Sequence, residues 1–290
     1  MILSICVITM NRASQLLEAL KSCLACKLPD ATEFVIVNNG SIDNTEKEIA
    51  SFICTCPYPV NSICLQENIG VGPGRSLCYE RANGEYLYFL DDDAVISSSC
   101  YDDFFVKSIE LFENNPRVAT ITTRIVDEFC KRTPLYSKKH RSNSISKIYM
   151  FFGGSHFVRK TAFGERQSMY SKLLYGYEEL APSLHAYSKG FDNIYTDEIY
   201  IIHNPLTNKW VQNNHIEAAV NNLYHLKVCL FPRFFFPVIF LFQLVRVLKH
   251  RLPIYKGLFS NNKTISQSEE DKISLKTAIQ LVSEFGFTIL

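Results

Sequence analysis

A chain of 290 residues is long enough to bury a sizeable core, as one large domain or as a domain with an appendage. Its hydrophobic share of 47% and aromatic share of 13% exclude a disordered protein. A net charge of +1, from 30 basic and 29 acidic residues, gives no global pull towards nucleic acid.

Residues 2–8 form an apolar run too short for a secretory signal and read as a first strand. With no signal and no disulfide-like spacing, the ten cysteines imply reduced thiols and a cytoplasmic chain. An amphipathic helix follows over 14–26. Its apolar stripe of Leu16, Leu20, Cys23 and Leu24 takes up the Cys23-x-x-Cys26 pair as core rather than as a redox or zinc motif. Residues 34–37 are a second strand. The turn- and cap-rich stretch from Asn38 to Thr45 opens a helix running to about Phe52. A third strand at 62–65 leads to Asn68-Ile69-Gly70-Val71-Gly72-Pro73-Gly74, which reads as a glycine turn before a short helix at 75–82. The turn lacks the dinucleotide spacing, so its expected use is close backbone approach to a ligand, with Arg75 available for phosphate.

Residues 86–90 are apolar and aromatic, as in a buried central strand, and end in Asp91-Asp92-Asp93. Ligands of open α/β sheets bind beyond the carboxyl ends of such strands. Three adjacent carboxylates repel one another and favour a nearby cation; a solvated acidic turn is the plainer alternative. In an extended backbone Asp91 and Asp93 share one side and Asp92 takes the other. Strand–helix alternation up to this point predicts βαβ units and a parallel sheet.

The spacing predicts a helix over 97–113 and a strand over 118–122. Residues 124–147 turn polar and basic, with Lys131, Arg132, Lys138, Lys139 and Arg141 against Asp127 and Glu128, and read as a lid or a solvated loop. Residues 149–152 regain strand character before Gly153-Gly154, and Thr161 starts a short helix. Glu178-Glu179 precedes a helix with Pro182 in its first turn, Leu180, Leu184 and Tyr187 on its buried face, and Gly190 at its end. A strand at 199–202 runs into His203. After Trp210 the chain becomes helical. Residues 231–251 are apolar but broken by Pro232, Arg233, Pro237, Gln243 and Arg246. That is too interrupted to span a bilayer, and it resembles an interfacial helix with a basic end at Lys249-His250-Arg251; packing on the core is the alternative. A last helix is expected over 269–285.

In order along the chain, Thr9-Met10-Asn11-Arg12, the stretch from Asn38 to Thr45, Asn68-Ile69-Gly70 with Arg75, Leu90 to Asp93, Gly153-Gly154, Glu178-Glu179 and His203 resemble the pattern of the family 2 inverting glycosyltransferases of GT-A fold. The resemblance implies an α/β fold with a Rossmann-like, mostly parallel sheet flanked by helices. It places a catalytic domain at 1–210 and a helical C-terminal extension at 211–290. It implies transfer of a sugar from a nucleotide-diphosphate donor, UDP- or dTDP-linked, to a hydroxyl of a glycan or lipid-linked acceptor, with no nucleic acid involved. By the same resemblance Thr9, Asn11, Arg12, Asn38 and Asp43 surround the base, and Asp91 contacts the ribose or sugar. Asn68, Gly70, Arg75, Asp92 and Gly154 complete the donor site. Asp93 and His203 hold Mn²⁺ or Mg²⁺, Glu179 is the catalytic base, and Glu178 meets the acceptor. Three positions depart from the pattern: Asn38 stands where the family often has an Asp in contact with the base, Glu179 where it often has Asp, and Ala181 where it often has a further acid. A catalytically weak or inactive glycosyltransferase-like binding module is therefore the alternative. Lipid-linked acceptors in the family add an expected peripheral association with an anionic membrane, at the inner face of the cell membrane.

Overall fold

The structure is a computed structural model and describes residues 1–127, 136–141, 144–164, 170, 176–204, 213–252 and 272–290. The apolar runs at 3–9, 32–39 and 86–90 become strands buried on both faces, as parallel strands covered by helices must be, whereas the edge strand at 60–65 is half-exposed. Strands β1 (Leu3–Thr9), β2 (Thr32–Asn39), β3 (Val60–Leu65) and β4 (Tyr86–Asp91) form a parallel block in the order β3-β2-β1-β4. Helices α1 (Ala13–Leu24), α2 (Thr45–Thr55) and α3 (Val71–Arg81) make the crossovers.

Alternation along the strands divides the core. Ile5, Val7, Phe34, Ile36, Tyr88 and Leu90 pack on one face against Leu16, Leu20 and Cys23 of α1 and Phe104 and Phe105 of α4 (Phe104–Asn114). Cys6, Val35, Val37, Leu87 and Phe89 pack on the other against Cys78 and Tyr79 of α3. Tyr88 sits at the centre of the first layer, with ring centroids 5.2 Å from Phe104, 5.3 Å from Phe105 and 4.4 Å from Phe157. Truncating one of these buried rings to alanine costs about 3–5 kcal/mol.

Beyond β4 the sheet becomes mixed. The remaining strands are β5 (Ala94–Ile96), β6 (Val118–Asp127), β7 (Tyr136–Arg141), β8 (Ile145–Ile148), β9 (Ser155–Arg159) and β10 (Asp192–His203). Antiparallel β9 inserts between β4 and β6, and β10 runs parallel to β6 and antiparallel to β5 and β8. The parallel arrangement expected from strand–helix alternation thus holds for the first half. It gives way where short connections replace helical crossovers.

Several local expectations are corrected. Helix α3 begins at Val71, so Gly72-Pro73-Gly74 is its first turn rather than a free glycine turn. Proline there forfeits no helical hydrogen bond. A Cβ at Gly74 would come within 3.1 Å of Ile8, so the absent side chain lets α3 lie close on β1. The helix expected over 97–113 is a 3₁₀ turn at Ser98–Cys100 followed by α4. Part of the basic stretch read as a loop is sheet, in β6, β7 and β8; Glu128, Lys131 and Arg132 lie outside the described residues. Residues 149–152 are irregular rather than strand. Their apolar character is spent on packing, since Phe151 joins the α3 side of the core and Tyr149 the C-terminal cluster.

Helix α5 (Leu180–Ser188) packs with α6 (Asn213–Leu230), α7 (Phe236–Lys249) and α8 (Leu275–Phe285) in a third cluster that includes Leu184, Leu226, Ile239 and Leu281. Lys147 on β8 bridges Asp192 at 2.7 Å and Glu284 of α8 at 3.2 Å, which ties the last helix to the sheet. Trp210 and Glu269, expected near helix starts, lie outside the described residues. No helix among the described residues is long and apolar enough to cross a membrane. Helix α7 has two apolar sides: Ile239 and Val247 are buried, whereas Phe234 just before it and Leu241, Val245 and Leu248 along it are exposed.

Candidate active site

The parallel block sets Thr9, Asn38 and Asp91 at one edge, since Thr9 pairs with Asn38 and Ile8 with Asp91. That edge is the carboxyl end of the strands. Around Asn11 the polar residues hold one another. Asn11, at φ +53°, donates its backbone N–H to Ser41 Oγ at 2.9 Å and accepts from the Ile42 N–H at 2.8 Å. Asn38 accepts from the Ser41 N–H at 3.1 Å. Burial pushes the Asp43 carboxyl up, but the bonds it accepts from the Thr45 hydroxyl at 2.5 Å, the Thr45 N–H at 3.0 Å and the Ala13 N–H at 3.4 Å together hold it below the usual range. Asn11, Arg12, Ala13, Asp43, Asn44 and Glu48 line a cleft of about 410 Å³.

Asn68 and Gly70 serve the entry to α3. The Asn68 side-chain oxygen accepts from Asn39 Nδ2 at 2.9 Å and from the Gly70 N–H at 2.8 Å. Gly70, at φ +96°, takes a backbone form that glycine alone adopts freely. The Asn39 side-chain oxygen accepts in turn from the Ile69 N–H at 2.9 Å, an organising role that its place in the Asn38 to Thr45 stretch only hints at. Gly154 contributes its carbonyl, which accepts from the Asp91 N–H at 3.1 Å.

Two arginines neutralise the acidic centre. Arg12 Nη1 lies 2.6 Å from Asp92 Oδ1 and 2.6 Å from Asp93 Oδ2. Burial pushes Asp92 up to about 6 even with Arg12 beside it. Arg75 is buried. Its Nη1 lies 2.8 Å from Glu178 and 3.0 Å from Glu179, and its Nη2 lies 2.8 Å from Asp91. The guanidinium expected to meet phosphate is thus committed to three carboxylates. Glu178 and Glu179 do not diverge as neighbours on a regular helix would; both reach the same nitrogen. They precede α5, and Tyr177 just before them sits at φ +65°, so helical spacing does not apply to the pair. Burial, then the charge of Glu178, push Glu179 up to about 8 against the opposing pull of Arg75. Glu178 Oε2 is buried with no hydrogen-bond partner among the described residues. Ala181 is buried in the apolar cluster with Leu180 and Leu184.

On the other side of Asp91, one ligand atom each from Asp91, Asp93 and His203 lie within 4.8 Å of one another. His203 Nε2 is 3.1 Å from Asp93 Oδ1, and its Nδ1 is 2.7 Å from Asp127 Oδ2. Burial works against the imidazolium, yet the bond to Asp93 and the nearby carboxylates raise its pKa. An imidazole nitrogen and two carboxylates converging on one point form a donor set that suits a divalent cation such as Mn²⁺. The pairing with Asp127 is not legible in the sequence, because that residue falls in a polar, basic stretch with no strand signal.

A family model described as "Glycosyl transferase family 2" matches residues 4–174. A curated relative, the poly-beta-1,6-N-acetyl-D-glucosamine synthase of Staphylococcus epidermidis, is 30% identical over 112 residues, 39% of this chain and 26% of that protein. The chain thus spans about a quarter of that relative's length. Among solved structures, S. aureus TarS 1-349 in complex with UDP-GlcNAc superposes with a TM-score of 0.60 at 16% identity, over 79% of this chain and 66% of that one. The mannosyltransferase PcManGT from Pyrobaculum calidifontis, in complex with GDP-Man and Mn²⁺, gives 0.63 at 15% identity, over 97% and 78%. At these identities the likeness concerns the fold, a mixed sheet flanked by helices.

Proposed function

The chain belongs to glycosyl transferase family 2, and on that premise we propose that it is an inverting, metal-dependent hexosyltransferase of cell-surface polysaccharide synthesis. Residues 1–210 form the catalytic unit and 211–290 a helical extension. The donor is a nucleotide-diphosphate sugar, UDP- or dTDP-linked, and the acceptor is a hydroxyl of a glycan or lipid-linked saccharide. The neighbours' complexes with UDP-GlcNAc and with GDP-Man and Mn²⁺ support a nucleotide-sugar donor.

The observation that carries this reading is the juxtaposition, about Asp91, of a metal-type cluster and a buried Glu179 whose pKa is pushed up to about 8. The Asn11, Arg12 and Asp43 cleft takes the nucleoside, together with Thr9 and Asn38. Asp91, Asp93 and His203 hold Mn²⁺ or Mg²⁺. With a divalent cation held there, Lewis acidity offsets the negative charge that develops on the departing diphosphate. Glu179 accepts the proton of the acceptor hydroxyl as that oxygen bonds to the anomeric carbon from the face opposite the nucleotide. The carbon–oxygen bond to the nucleoside diphosphate breaks, and the configuration inverts without a covalent intermediate. Arg75 keeps Glu179 in place, and Glu178 Oε2, which has no partner among the described residues, is offered to the acceptor. Ala181 lies in a buried apolar cluster, where a carboxylate would be costly to desolvate, and this supports an enzyme over an inactive binding module.

The exposed row Phe234, Leu241, Val245 and Leu248, flanked by Arg233 and Lys249-His250-Arg251, supports peripheral association with an anionic membrane, which we place at the cytoplasmic face. The activity reading is tested by release of nucleoside diphosphate from UDP- and dTDP-sugars, with Mn²⁺ and with excess chelator. Metal-dependent release that Asp93→Ala abolishes is the expected result; undiminished release in chelator overturns the metal assignment.

A further inference from the structure

Asp127 ends β6 in the stretch that read as a basic loop, and its side chain is only 3% exposed. The sheet itself places it. His203 pairs with Asp127 on β6 along one flank of β10 and with Ala94 on β5 along the other. The Asn204 N–H donates to the Asp93 carbonyl at 2.8 Å, closing the end of β10 onto the acidic turn. This alignment depends on the irregularity between Thr196 and Tyr200, which sets the register of β10 against β6. A one-residue slip there would turn His203 to the opposite face.

We infer that Asp127 is a positioning residue for the cation site: its carboxylate fixes the ring of His203 so that Nε2, rather than Nδ1, is presented to the ion. The inference rests on the metal reading proposed above. A carboxylate can only accept, so Nδ1, 2.7 Å from Asp127, keeps its proton and the ring is held in one orientation, with Nε2 as the nitrogen turned towards the Asp91 and Asp93 carboxylates. Nε2 is then left 3.1 Å from Asp93 Oδ1, at the point where the ligand atoms of Asp91 and Asp93 converge. Outer carboxylates of this kind orient imidazole ligands and raise their basicity, and losing one weakens metal affinity about 10–100-fold.

The test is binding of Mn²⁺ alone, read from the electron paramagnetic resonance of the free ion, with folding checked by circular dichroism and Tm without metal. Asp127→Ala should weaken binding about 10–100-fold, and Asp127→Asn less, because an amide oxygen still accepts from Nδ1. His203→Ala should weaken binding at least as much as Asp127→Ala. The double variant should be no weaker than His203→Ala, since Asp127 acts through His203; a purely structural carboxylate would add its own loss. Wild-type affinity in folded Asp127→Ala, while His203→Ala loses the ion, overturns the inference and leaves the metal site standing. Wild-type affinity in His203→Ala overturns both. If Asp127→Ala does not fold, Asp127→Asn decides: lowered affinity at unchanged Tm supports the inference, and unchanged affinity opposes it.

Discussion

Replacing Gly153 with alanine tests how tightly the acidic group is built. A Cβ at this position would overlap Glu179 Oε1 and Arg75 Nη1 and stand 2.7 Å from Arg75 Nη2. Arg75 cannot swing aside, because Glu178 and Asp91 hold its two terminal nitrogens at 2.8 Å each in a buried setting. The methyl group therefore has to separate Glu179 from Arg75. Disrupting a buried ion pair costs about 3–5 kcal/mol. The low end applies here, because Glu179, with its pKa near 8, can take up a proton and Arg75 keeps two other partners. About 3 kcal/mol corresponds to a fall in Tm of roughly 6–12 °C in a domain somewhat smaller than this chain. Moving the base by about 1 Å should slow transfer about 100-fold. The assays are thermal unfolding and a coupled nucleoside diphosphate release assay with acceptor present. A variant that melts within 2 °C of wild type (roughly a fifth of the predicted shift) and keeps most of its transfer rate would refute the close-packed arrangement of Gly153, Arg75 and Glu179.

The raised pKa of Glu179 fixes the pH dependence: a base must be unprotonated, so kcat/KM for acceptor should rise with pH up to about 8 and then level. A profile already flat from pH 6 would contradict a base in this environment. Glu178→Gln removes the like charge beside Glu179 and should move that midpoint downwards, seen as faster transfer at pH 6.5; an unmoved midpoint argues against the coupling. For the membrane surface, wild type should co-sediment with anionic vesicles at low salt, and Leu241→Ser with Leu248→Ser should release it by removing exposed apolar area. Failure of wild type to sediment would give this face of α7 to another partner.

Legibility followed burial and period. The strands β1, β2 and β4 could be read because parallel strands covered on both faces are continuous apolar runs, and three aspartates after such a run mark the ligand edge. The face of α1 was readable from Leu16, Leu20 and Cys23, all buried as a helical stripe. Elsewhere tertiary contact overrode local character. Pro73 and Gly74 look like a turn but begin α3, where close approach to Ile8 favours a missing side chain. Phe151 and Phe152 look like strand but fill irregular chain. The basic residues of β7 hid a strand that pairs only through β8 with the rest of the sheet. Most site residues could be named from motif order, yet their partners could not. The convergence of Glu178 and Glu179 on Arg75 depends on the backbone at Tyr177, and the bond from His203 to Asp127 on a register irregularity in β10. Neither is written in residue spacing.

The central claim is that Glu179 removes the acceptor proton. It is tested most directly by measuring transfer rate and donor affinity in parallel for Glu179→Gln and Glu178→Gln. Glutamine keeps size and hydrogen-bonding reach but cannot accept the proton. Glu179→Gln should lose roughly two to four orders of magnitude in transfer with donor affinity nearly unchanged, while Glu178→Gln retains transfer. Transfer at the wild-type rate in Glu179→Gln, with or without loss in Glu178→Gln, would contradict the account.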